Sequence, residues 1–154
     1  MLRIEKTIQN AFNRAYKKFP HRIKKPNVLV MGKVQFIEYL NNSPLTINPD
    51  TTPAVIAHLP ERDTIIFCPE TIEDMKQFAG IKRLCDFIEA LTLHELYHEW
   101  NRHRIESKLQ ALESEMQVDI EMQNDFPKLY RLLENVTKKL INKGRGIKNK
   151  KGAK

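Results

Sequence analysis

The stretch LTLHELYHEW, residues 91–100, decides how this chain is read. Leu84, Phe87 and Leu91 recur at steps of three and four, and the same steps lead on to His94 and His98. Neither proline nor glycine occurs from Ile81 to about Arg104, so the spacing predicts one long helix there. Side chains at i and i+4 lie one turn apart on the same side of a helix. The two imidazoles therefore extend an apolar stripe, and both can reach one ion at the ~2.0–2.1 Å typical of zinc–nitrogen bonds. Glu95, three positions before His98, comes to the rim of that face, where it can hold a water without being a ligand. This is the H-E-x-x-H arrangement, in which a metal acidifies a water and the glutamate takes its proton. With 5 His and 13 Glu in 154 residues, chance produces the pattern on the order of 0.01 times. Two structural histidines in a core are the poorer explanation. Zinc is favoured, although imidazoles also suit other transition metals.

Two histidines do not make a zinc site, so a third protein ligand is required. His103 is the nearest candidate by sequence. In the metzincin pattern H-E-x-x-H-x-x-G-x-x-H a glycine turns the chain so that a later histidine reaches back. Here Asn101 stands in the glycine's place and Arg104 at the final position, so His103 is expected on the surface or behind the ligands. The next predicted helix, about Ile105 to Asn124, offers LESEMQVD at residues 112–119. Glu115 shares a side with Ala111, Val118 and Met122 and has Asp119 one turn on. Glu113 lies among Leu109, Met116 and Ile120 and has Gln117 there instead. Helical geometry alone does not choose between the two glutamates.

Glu115 and Asp119 resemble the E-x-x-A-D signature of the gluzincin metallopeptidases, with Val118 where alanine is usual. The resemblance is specific over Leu93–Asp119. In size and element order the chain is also similar to the small soluble minigluzincins. It implies that Glu115 is the third zinc ligand and that Asp119 holds the second nitrogen of His94. A ligating histidine needs such a partner to fix its tautomer. It further implies a zinc-dependent peptidase with Glu95 as general base, acting on a peptide or unfolded protein laid along an edge strand. Tyr130, Arg131 and His103 are candidates to assist at the oxyanion. Two alternatives stay open. One is a latent or inactive zincin used as a metal-containing binding protein; the other is a nucleic-acid-binding module working through its basic ends.

The remaining sequence predicts an α+β domain of minimal zincin-like plan over residues 1–142, with a small sheet containing a hairpin, the active-site helix and the glutamate helix. Ile4, Ile8, Phe12, Ala15 and Phe19 give an amphipathic helix over 2–19. NVLVM (27–31) reads as a buried strand and VQFIEYLN (34–41) as a short helix. AVIAHL and TIIFC, separated by PERD, read as a hairpin. PETIEDMKQFAG (69–80) has the proline-first, glycine-last form of a short helix. A final helix is expected from Pro127 to about Asn142.

Of the net charge of +7, six units come from Lys143, Arg145, Lys148, Lys150, Lys151 and Lys154. Residues 143–154 are therefore expected to form a disordered basic tail, able at most to make weak nucleic-acid contact. Cys68 and Cys85 are too few and too far apart for a disulfide framework or a zinc knuckle. No apolar run reaches the ~20 residues of a membrane span, and no signal peptide opens the chain, so a cytoplasmic location is expected.

Overall fold

The computed structural model describes residues 2–42, 56–59, 64–101 and 108–152. In chain order the elements are α1 (Leu2–Lys18), β1 (Asn27–Val30), α2 (Lys33–Asn42), β2 (Ile56–Leu59), β3 (Thr64–Phe67), α3 (Pro69–Ala79), α4 (Leu84–Asn101), α5 (Lys108–Asp125) and α6 (Pro127–Gly152). This is the expected α+β class. The three described strands lie in the order β1-β3-β2, with β1 parallel and β2 antiparallel to β3.

The β2–β3 pairing sets Ile56 opposite Phe67 and Leu59 opposite Thr64, as the hairpin reading requires. Its connecting residues, 60–63, lie outside the described residues, as do 43–55 and His103.

Alternation along β3 builds two cores. Ile65 and Phe67 point into the larger one, shared with Ile8 and Phe12 of α1 and Leu93 and Leu96 of α4. Ile66 and the following Cys68 point the other way and meet Phe36 of α2. A strand's side-chain period of two produces this split, and it leaves the sheet between two helical layers.

NVLVM is a strand but not a buried one. β1 is an edge, and Leu29 and Val30 are 43% and 42% exposed. A short apolar run is equally compatible with a central or an edge position, and here β3 takes the centre with all four residues buried.

α3 starts with Pro69 and ends at Gly80, whose φ of 64° lets Ile81 N–H bond back to Lys76 O at 3.0 Å. α4 follows and packs against α1, α5, α6 and β2, so most of its circumference is covered. Its buried Glu89, 1% exposed, is held by Arg14 Nε at 3.0 Å and Lys18 Nζ at 2.9 Å from α1. A buried carboxylate requires such partners.

α6 departs from the expected boundary. It runs to Gly152, ten residues past Asn142, so the backbone of the basic stretch is helical where disorder was expected. No proline interrupts it after Pro127, and its glycines weaken a helix by about 1 kcal/mol each without removing a hydrogen-bond donor.

Among the described residues no helix is long and apolar enough to cross a membrane.

Candidate metal centre

His94 and His98 lie on the part of α4 that faces α5, and their ring centroids are 4.9 Å apart. Their side chains are 14% and 10% exposed, at the end of the stripe Leu84–Leu91–His94–His98. Leu93, Leu96 and Tyr97, all fully buried, lie beside that stripe.

The sequence of α5 presents Glu115 and Asp119 to these imidazoles. Ser114, Val118 and Met122, four apart, are buried in the helical core at 5%, 0% and 0% exposure. Glu115 is one residue further round the helix and so emerges at the edge of that contact. Two polar bonds fix the register about two to three turns on. Tyr97 Oη donates to Asp125 Oδ2 at 2.5 Å, and Asn101 Nδ2 donates to Glu121 Oε2 at 2.5 Å.

With α5 in that register, Glu115 bridges both imidazoles. Its Oε2 is 3.0 Å from His94 Nε2 and its Oε1 is 3.0 Å from His98 Nε2. Glu113 is exposed and takes no part. The structure thus separates the two glutamates that sequence spacing left equal.

Asp119 also arrives at the centre, but on an unexpected atom. Its Oδ1 is 3.4 Å from His94 Nε2, the nitrogen Glu115 also meets, rather than from Nδ1. His94 Nδ1 instead faces Glu95 Oε1 at 3.7 Å, beyond hydrogen-bond length. Glu95 therefore stands beside the cluster without joining it.

Ser114 was missed by sequence reasoning. Its Oγ lies 3.1 Å from His98 Nδ1 and can accept an N–H there, the contact that would leave the Nε2 lone pair to a metal ion. The only signal was a serine immediately before the glutamate, which is too common to be informative.

The electrostatics follow from these contacts. Burial lowers the His94 pKa, but the nearby carboxylates of Asp119, Glu115 and Glu95 more than reverse this and leave it well above the ordinary 6.5. Burial raises the Glu115 pKa, and the two histidines overcome it, holding the carboxyl far below the ordinary 4.5.

Tyr130 lies within electrostatic reach. Its phenol is pushed up first by burial and then by Asp119 and Glu134, and is drawn down by His94. Arg131 is exposed.

The donor set fits a zinc ion. His94, His98 and Glu115 offer ligand atoms that all lie within 4.8 Å of one another. Around a tetrahedral ion with bonds of ~2.0–2.1 Å such atoms stand roughly 3.3 Å apart, so small side-chain rotations suffice. Two imidazoles and one carboxylate would leave the fourth position of a tetrahedral ion open.

A separate cavity of about 990 Å³ lies between α1, α3 and the start of α4, lined by both cations (Arg3, Lys82) and carboxylates (Glu70, Asp86). It contains none of the centre's residues.

Comparison with known proteins finds no family model, no curated protein and no solved structure that matches the chain.

Proposed function

We propose that this protein is a zinc-dependent metallopeptidase of gluzincin type on a minimal zincin-like scaffold. The observation that carries the reading is the convergence of His94, His98 and Glu115 from two helices, with Glu95 beside them and outside the ligand set. A zinc ion held by these three residues would supply a Lewis acid that lowers the pKa of a water and polarises a substrate carbonyl.

The chain's own groups do the rest. Glu95 accepts the proton of the attacking water and delivers it to the leaving amine. Ser114 holds His98 in the tautomer that leaves Nε2 available, and Asp119 draws His94 towards the same point. The substrate is an extended peptide or an unfolded protein. Among the described strands β2 is an edge, and it lies against α4, so its outer backbone side can pair with such a segment.

Metal analysis of the purified protein, together with cleavage of a denatured protein, tests the reading. The expected result is about one zinc per chain and hydrolysis that a chelator abolishes. Zinc without turnover on any peptide would point to a latent or inactive zincin acting as a binding protein. The absence of zinc would overturn both.

A further inference from the structure

Val136, buried, packs α6 on the helical core with Leu129 and Leu133 beside it, and the helical backbone runs on from there to Gly152. That extension holds the charge of the chain. Eight of the 26 lysines and arginines and none of the 19 acidic residues lie beyond Glu134, which leaves residues 1–134 at −1. A continuous helix fixes these charges along one rod instead of spreading them through a coil.

Helical position sorts the rod into faces. At about 100° per residue, positions 135, 142 and 149 fall within about 40° of one another, and all three are asparagine. This amide row lies roughly 120–180° round the helix from Leu129, Leu133 and Val136, on the side away from the core. Positions of Lys138 and Arg145 stand about 40–60° to one side of it, and those of Lys139, Lys143 and Lys150 about 60–100° to the other. Lys148 and Lys151 fall further round. Asn135, Lys138 and Lys139 are exposed.

We propose that this face of α6 binds duplex DNA in the major groove. An α-helix with its side chains is about 10–12 Å across, and the groove is about 12 Å wide. A central amide row suits base edges, because asparagine donates and accepts together and can pair with both N6 and N7 of adenine. Cations on either flank suit the phosphates that border the groove. From Lys138 to Lys150 the helix rises about 18 Å, the length of roughly five base pairs.

The same placement argues against other polyanions. A helix that lies on an anionic membrane needs an apolar face between its cations. Here that row is amide, and the apolar positions 129, 133 and 136 are used by the core. An RNA duplex has a major groove too deep and narrow for a helix to enter.

Fluorescence anisotropy of a labelled 20-base-pair duplex, titrated with the full chain at 50–200 mM KCl, tests the proposal. With about five phosphates neutralised, log affinity against log salt should fall with a slope of about −4 to −5. Lys139→Gln, Lys143→Gln, Arg145→Gln and Lys150→Gln together should weaken binding at least 30-fold at 50 mM, with unchanged helical circular dichroism. If the combined variant does not fold, Lys143→Gln and Arg145→Gln singly should each reduce the slope by about 1. Asn142→Ala with Asn149→Ala should remove a preference for A·T-containing over pure G·C duplexes and leave the slope unchanged. No binding at 50 mM, or binding indifferent to the cation variants, would overturn the proposal. Retention on vesicles of anionic lipid without retention of the duplex would overturn it in favour of a membrane. Equal binding of heparin and duplex, with the asparagine variants silent, would overturn the groove and leave only general attraction to polyanions.

Discussion

Glu115→Gln is the substitution on which the metal centre stands or falls. The carboxylate makes two contacts of 3.0 Å, one to each ligand imidazole, and its side chain is 47% exposed. A hydrogen bond or ion contact involving a charged group contributes about 1.5–3 kcal/mol, and partial exposure favours the low end through solvent screening. In the metal-free protein the two contacts then amount to about 3 kcal/mol, which metal binding displaces, and the same carboxylate would be the only anionic member of the ligand set. An amide keeps the shape and one weak oxygen donor but loses the charge. Zinc affinity should fall at least ~100-fold, because one of three ligands becomes a weak neutral donor, a loss of about 2.7 kcal/mol or more. Asp119→Asn, 3.4 Å from His94 and 43% exposed, should cost about 10-fold, the lower end for residues that support a ligand. Glu113→Gln, on the exposed face, should cost nothing measurable. Competition against a chromophoric zinc chelator measures all three on one scale. If Glu113→Gln is the severe variant, or Glu115→Gln binds within a few-fold of the native protein, the ligand assignment is wrong.

Glu95→Gln should retain zinc and lose hydrolysis by about 10²–10⁴-fold, because an amide cannot accept the water's proton; zinc content and initial rates on a fluorogenic peptide check it. Tyr97→Phe removes the bond to Asp125 from a fully buried position and should lower stability by about 1–3 kcal/mol in urea unfolding, with weaker zinc binding as α5 loses its register. The metal-free protein should be most stable between about pH 4.5 and 6.5 as far as this cluster is concerned. The raised His94 pKa contributes stability that is complete below 6.5 and lost as pH rises through its folded value. The lowered Glu115 pKa contributes stability that is present above 4.5 and lost as pH falls through its folded value. Thermal unfolding of chelator-treated protein should thus show a lower midpoint at pH 9 than at pH 6, and Glu115→Gln should shrink that difference. Zinc affinity should move the opposite way and rise with pH, since a metal competes with the imidazole proton.

What the sequence determined by itself is local. The i, i+4 spacing of His94 and His98 places two imidazoles on one face wherever the helix goes, and Glu95 follows from the same helix. The β-branched runs around PERD paired as a hairpin, and Pro69 with Gly80 bounded α3 as their backbone preferences require. The tertiary structure decided whatever depends on which face meets which neighbour. Glu113 and Glu115 are equivalent on paper, because α5 has an apolar stripe on either side. Packing buried the smaller stripe, Val118 and Met122, against the helical core and left Met116 and Ile120 outside, and only then did Glu115 meet the histidines. β1 was legible as a strand but not as an edge, since rank within a sheet is a property of the pairing and not of the run. Ser114 was invisible for the same reason: a serine hydroxyl acquires meaning only when another helix brings an imidazole nitrogen to 3.1 Å. Periodicity is written along the chain, whereas the choice between two apolar faces is made by shape and volume at contact, which no single helix encodes.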